Sequence, residues 1–401
     1  MVHHRVAAPL PPAYRGKEPS YIKHELLKAY LKRLFVIIGM SAQRLGISEL
    51  CYVDAFSGPW LDESDELGST SIAISLGILE ECRLELEKQS RPLQIRALYV
   101  EKDKAAFARL ERYLSEHAPA KIEVKAIPGD FVALQQTILE WCRTDAFAFF
   151  FLDPKGWIPV GVKVLQPLLA RPRSEFLITF MYDFVARFAS KQQLETHMLD
   201  FLGEAPNVGT LHGPAREKHL LNIYRRNLKQ SLPSKTRWPA RSAYVRVLDR
   251  EKDRAKYHLV YLTSHPHGIT VFMEISEALD PVQKLVRAST KQTSRIQKTG
   301  QSELWIAEDM ADADDQAVDI VDVEEFWLAC LSVEPTIFRE AEFADLLEKT
   351  NWFPGDLQRA LGNLIGSGKV RNLDAEGKRR IRFLHFEKKN GERLQLTGSG
   401  K

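Results

Sequence analysis

Apolar residues recur at helical spacing from Tyr21 to Gly39, where Leu26, Leu27, Tyr30, Leu31, Leu34, Phe35 and Ile38 predict an amphipathic helix. Leu50–Phe56 breaks that rhythm. It is short, mostly apolar and rich in β-formers, and it runs into Ser57 and Gly58, which predicts a buried strand entering a loop. Helical spacing returns over Ser69–Lys88, Lys104–His117 and Phe131–Arg143. Between these lie three further strand-like segments, QIRALYVEKD, KIEVKAIPGD and AFAFFFLDPKGW, and SEFLITFMYDF follows as a fifth. Strands alternating with helices predict parallel pairing, right-handed crossovers and a doubly wound α/β sheet of the Rossmann type. Gln192–Lys229 is mostly helical in pattern, with a break near Gly203–Gly213. RSAYVRVLDR, KYHLVYLTSHP and GITVFMEI are expected as late strands, the last two joined through His265-Pro266-His267-Gly268.

The pattern then weakens. Ala288–Asp319 is poor in apolar residues and changes from basic to acidic, as a linker or linking helix does. Beyond it, helices are expected at Asp322–Ser332, Glu340–Thr350 and Pro354–Ser367, followed by two short strands around an Asp374–Gly377 turn. Three helices and a two-stranded wing predict a winged helix-turn-helix domain. The expected organisation is therefore a loose arm (1–20), a Rossmann-like domain (21–287), a linker (288–320) and a winged-helix domain (321–401).

Composition narrows the class. With 401 residues, 44% hydrophobic and 27% charged, the chain is long enough to bury full cores and is neither collagen-like nor wholly disordered. Cys51, Cys82, Cys142 and Cys330 are isolated, so neither a zinc pair nor a redox pair is expected. The first twenty residues lack an apolar core, and no run of eighteen apolar residues occurs. A cytoplasmic protein without a membrane span is expected. Net charge is +3, but Gly366–Lys401 holds ten Lys and Arg against four Asp and Glu. That basic tail suits a polyanion contact, and a solvated surface gives the same count.

Acidic residues fall where the predicted parallel strands end: Asp54, Glu101, Asp130 and Asp153. Ligands of open α/β sheets sit at those ends. In V-D-A-F-S-G-P-W, Asp54 is followed by Ser57 and Gly58, where a missing Cβ lets backbone amides approach a ligand; an ordinary strand-to-helix turn reads the same way. Class I methyltransferases hold S-adenosylmethionine on a corresponding acid–glycine loop. Glu101 is placed to accept two ribose hydroxyls, and Asp130 an exocyclic adenine amine with Phe131 stacking on the ring. In F-F-F-L-D-P-K-G-W, Asp153-Pro154 resembles the loop with which amino-methyltransferases accept a target NH2, and Trp157 stands one place beyond their aromatic clamp. Lys23 and His24, near the start of the first helix, are candidates for the same site or for nucleic acid. Lys284, Arg287, Lys291, Arg295 and Lys298 share a helical face. Lys378, Arg380 and Arg382 are the expected phosphate contacts of the wing, with Ile381 and Phe383 packed on the opposite face.

Taken together, Y-I-K-H-E-L-L, Y-V-D-A-F-S-G-P, L-G-S-T-S-I-A, V-E-K-D, F-F-F-L-D-P-K-G-W and I-T-F-M-Y-D-F-V-A-R-F resemble the three-Cys-motif partner (TcmP) family over most of residues 20–275. The resemblance implies a class I methyltransferase-like fold, S-adenosylmethionine as cofactor, and association with a three-Cys-motif protein similar to radical-SAM enzymes. By position it implies Asp54, Ser57, Gly58, Glu101 and Asp130 as cofactor contacts, and Asp153 and Pro154 as the catalytic loop. Two functions follow as expectations. One is methyl transfer to an amino group of a nucleic-acid base, with Trp157 or Tyr182 stacking on a base taken out of its helix. The other is a catalytically silent subunit that binds nucleic acid and the partner.

Overall fold

The computed structural model describes residues 10–58, 70–189, 191–234, 236–300, 318–375 and 381–397. Contacts divide the chain into two compact units, 1–264 and 265–401.

The first unit is built on a seven-stranded sheet in the order β3-β2-β1-β4-β5-β7-β6. The strands are β1 (Glu49–Asp54), β2 (Gln94–Glu101), β3 (Glu123–Pro128), β4 (Phe147–Leu152), β5 (Ser174–Phe180), β6 (Arg241–Leu248) and β7 (Ala255–Thr263). β1 to β5 pair in parallel, and β7 runs antiparallel to both β5 and β6. Every residue of β1, β4 and β5 is buried, because helices cover both faces; edge strand β3 is half-exposed. The helices are α1 (Glu18–Leu45), α2 (Ser71–Lys88), α3 (Lys104–His117), α4 (Phe131–Trp141), α5 (Val162–Leu169), α6 (Tyr182–Phe188), α7 (Glu195–Leu202) and α8 (Gly213–Gln230). Successive connections from β1 run outward through β2 to β3, and then from β4 through β5 on the other side. The switch point therefore lies between the carboxyl ends of β1 and β4.

Helix α1 docks on the sheet through a buried polar clip. Tyr30 Oη and Tyr261 Oη donate to Glu175 Oε2 at 2.9 and 2.7 Å, and Thr263 Oγ1 donates to Glu175 Oε1 at 2.8 Å.

The second unit opens with α9 (Pro266–Thr299). Here one expectation is corrected: Gly268–Ile275 is helix, not strand. Ala288–Thr299 continues that helix, in line with the linking-helix alternative and with the helical face expected for Lys284, Arg287, Lys291, Arg295 and Lys298. Pro266 begins α9 while the His265 side chain accepts from His267 N, so His-Pro-His-Gly is a helix start. The segment expected to close the first domain lies in this second unit. There follow α10 (Ile320–Cys330), α11 (Glu340–Thr350), α12 (Pro354–Gly366) and an antiparallel three-stranded sheet, β8-β10-β9: Thr336–Phe338, Glu392–Leu396 and Val370–Asn372. Trp327, fully buried, donates from Nε1 to Leu357 O at 2.9 Å, and Phe343 stacks on Phe386 at 4.0 Å.

The partner of β9 is thus β10, and the basic segment expected as a strand is irregular over 381–383. Ile381, expected to pack, is fully exposed, and Phe383 is 37% exposed. Alternation fails because no ladder holds those residues. Lys378 and Arg380 lie outside the described residues. Among the described residues no helix is long and apolar enough to cross a membrane.

Candidate active site

Asp54 ends β1 and is completely buried. Its Oδ1 accepts from Phe56 N at 3.1 Å and its Oδ2 from Ser71 Oγ at 2.6 Å, so the acid fixes the turn after β1 and ties it to the first residue of α2. Burial pushes its pKa up to about 6; the hydrogen bonds from Ser71 and Phe56 oppose the rise, and the charge of Asp153 adds to it. Ser57 is buried beside it. Its hydroxyl donates to Asp54 O at 2.7 Å and accepts from Val100 N at 3.2 Å, which stitches the loop to β2. Gly58 is half-buried at the end of this stretch.

Glu101 ends β2 with 3% of its surface exposed. Oε1 accepts from Asp103 N at 2.6 Å, but Oε2 is buried with no hydrogen-bond partner. Burial raises its pKa; the backbone amides of Asp103 and Lys102 work against the rise, as does the charge of Lys155. An orphaned carboxylate oxygen at a strand's carboxyl end is costly unless a ligand donates to it. Asp130 is exposed and caps α4 through Val132 N at 2.9 Å. Phe131 is 3% exposed and packs 5.1 Å from the Phe56 ring.

Asp153 follows β4. Thr179 Oγ1 on β5 donates to its Oδ1 at 2.7 Å, and Lys23 on α1 pairs with its Oδ2. Lys23 is buried and lies 5.6 Å from the Tyr257 ring centre. The turn beyond reaches Gly156 at φ +113°, a conformation that side chains rarely adopt. Pro154 is buried, and Trp157 is a core residue at 5.0 Å and 87° to Phe201 and 6.0 Å from Phe188. His24 sits one residue from Lys23, with Nδ1 3.0 Å from Tyr14 Oη; burial first, then the charge of Lys23, hold its pKa down to about 3. It is a neutral buried ring.

The structure therefore brings Asp54, Glu101, Asp153 and Lys23 to one face, the carboxyl edge of β1, β2 and β4. Arg382 is in the second unit and is paired with Glu387, with Glu274 at 3.5 Å. Sequence reasoning missed Thr179, Ser71 and Tyr257. Lys23 and Asp153 are separated by 130 residues, and no local pattern announces such a pair. Among the described residues no group of three or more His, Cys, Asp or Glu is arranged to hold a metal ion.

No family model matches the chain, and no curated protein matches it. Solved structures similar to it include a DUF519-family protein from Legionella pneumophila, at 12% identity, covering 64% of this chain and 91% of that one with a TM-score of 0.35. Another is M. jannaschii TYW2 in complex with AdoMet, at 13% identity, 56% and 73% coverage and a TM-score of 0.25. A third is loganic acid methyltransferase with SAH, at 11% identity, 94% coverage of both chains and a TM-score of 0.25.

Proposed function

We propose that the first unit is an S-adenosylmethionine-dependent methyltransferase of the class I type, acting on an amino group of a nucleic-acid base. The observation that carries this reading is Glu101. Its Oε2 is buried and unpartnered at the carboxyl end of β2, beside the β1–β4 switch point, where a ribose hydroxyl would satisfy it. Backbone of the Ala55–Gly58 loop, held by Asp54 and Ser57, would line the same cradle, with Asp130 and Phe131 at its β3 side. The cofactor supplies a methyl group already activated on sulfur, so the protein's task is positioning. Asp153 would accept a hydrogen bond from the target amine and hold its nitrogen lone pair toward the methyl. Pro154 and Gly156 shape that loop.

A second reading rests on a specific contact. Lys23 and Thr179 each donate to one oxygen of Asp153, so a target amine would have to share or compete with the Lys23 pair. A subunit that binds nucleic acid without methylating it would keep that pair closed. In either case the TcmP resemblance proposes a three-Cys-motif, radical-SAM-like protein as partner, and the second unit as a winged helix.

Methyl transfer from labelled S-adenosylmethionine to single-stranded and duplex DNA and RNA tests the first reading. Asp153→Ala is expected to abolish transfer while cofactor affinity stays within about tenfold. If both fall together, Asp153 belongs to the cofactor site or the fold. If the parent binds cofactor and nucleic acid but transfers nothing, the silent-subunit reading stands.

A further inference from the structure

Thr179, which holds Asp153, is followed by Phe180, where β5 ends, and then by α6. This flank of the site has its own chemistry. His258 on β7 is fully buried, with Phe180, Tyr182 and Tyr244 around it at 5.6 to 6.1 Å. Its Nε2 lies 3.0 Å from Glu217 Oε1, which is also ion-paired with Arg246 at 3.0 Å, and its Nδ1 is buried without a partner. Burial lowers the pKa of His258 despite the opposing charge of Glu217. Around this centre stand Arg254, 48% exposed and 3.1 Å from Asp183, and Arg187, whose guanidinium lies 4.8 Å over the Phe184 ring. Lys191 lies 5.4 Å over Phe188, itself 6.0 Å from Trp157. Arg216 donates to Ala186 O at 2.8 Å. Five cations thus stand among Asp183, Glu217 and Asp249 on a surface whose half-buried rings are Tyr182, Phe184, Phe188 and Tyr244.

Cations interleaved with aromatic faces fit a strand of nucleic acid with unpaired bases. Phosphates meet the guanidinium groups while bases stack on rings. An acidic peptide would satisfy the cations but leave the rings without use. We infer, resting on the nucleic-acid reading above, that the α6 flank and the β6–β7 edge form the docking surface for single-stranded nucleic acid, with Arg187, Arg254 and Arg246 on phosphate and Tyr182 and Phe188 on bases. This places nucleic acid on the first unit, beside Asp153, rather than on the basic tail alone.

Fluorescence anisotropy of the full chain with a labelled mixed-sequence 20-nucleotide single strand, across a salt series, tests it. The double change Arg187→Ala with Arg254→Ala is expected to weaken binding about tenfold and to lower the slope of log affinity against log salt by about 1.4, roughly 0.7 for each phosphate no longer neutralised. Tyr182→Leu is expected to weaken binding roughly fivefold with the slope unchanged, since it removes stacking and not charge. Titration with SAH should match the parent in every variant. Should the double variant fail to fold, Lys191→Glu alone is expected to weaken binding about fivefold. Parent-like affinity in folded variants overturns the surface and leaves the nucleic-acid reading intact. A parent that binds no single strand overturns both. Loss of a protein partner with oligonucleotide binding retained overturns the surface in favour of a protein.

Discussion

The two ends of the same sheet treat buried charge in opposite ways. At the amino end, Arg171 is 7% exposed and donates to Pro172 O, Ser174 Oγ, Cys142 O and Ala146 O at 2.9 Å each, and also to the carbonyl of Arg143. Arg96, also buried there, pairs with Glu49 and Glu123 and lies 4.1 Å over the Trp141 ring. At the carboxyl end, Glu101 keeps an oxygen without a donor and Asp54 is buried among few counter-charges. The amino end holds buried bases that close turns and pair with acids, although Arg96 Nε and Trp141 Nε1 are also buried there without a hydrogen-bond partner. The carboxyl end holds buried acids with few counter-charges, at the strand ends where ligands of open α/β sheets bind.

The contrast is broken most forcefully at Arg171. Arg171→Ala strips a set of buried carbonyls of their donor and is expected to cost about 3–5 kcal/mol, read by urea unfolding. A loss below 1 kcal/mol would mean that the carbonyls around Arg171 find other donors once it is gone. At the other end the sign reverses. Asp54 has its pKa raised to about 6 from an ordinary 3.8, so its neutral form is the one the fold favours. Its contribution is complete below the unfolded value and is lost as pH rises through 6, a change of about 3 kcal/mol. Asp54→Asn, which keeps an acceptor for Phe56 N, is therefore expected to gain stability on the parent at pH 8 and to match it at pH 4. Equal stability at both values would show that the ionised acid is accommodated.

His24 sharpens the comparison within the same face. Its pKa is held at about 3, well below an ordinary 6.5, so its contribution is complete above 6.5 and fades as pH falls toward 3. Between pH 7 and pH 4 it should remove about 3 kcal/mol, and His24→Gln should flatten that part of the profile. Identical parent and variant profiles would contradict a buried neutral ring.

What the chain's pattern disclosed follows from the same physics. Phe147–Leu152 and Leu50–Asp54 read as strands because both faces are covered and every position is apolar or functional. The row of acids was legible because each stands where such a run stops. The run Gly268–Ile275 misled because it too is nearly all buried, and burial on every side erases helical periodicity. Its Pro266 start and the long polar continuation to Thr299 were the overriding signals. The strand that pairs with β9, Glu392–Leu396, lies nearly twenty residues beyond it, so the nearer basic residues with alternating apolar neighbours were read as the strand in its place. Trp157 looked like a clamp on spacing alone, and only packing shows its ring against Phe201 and Phe188. The Lys23–Asp153 pair and the His258 cluster depend on strand order, which no window of sequence contains.

The smallest stability change should come from the residue that matters most for the ligand. Glu101→Ala removes a buried acid with one oxygen unpaired, so the fold should lose less than about 1 kcal/mol while the site loses its acceptor. Calorimetric titration of the parent and of Glu101→Ala with SAH tests the central claim most directly. The account predicts measurable binding by the parent and a loss of roughly 1–3 kcal/mol of binding free energy in the folded variant. No heat with the parent, or the same dissociation constant in both, would contradict a cofactor cradle at the carboxyl end of β2.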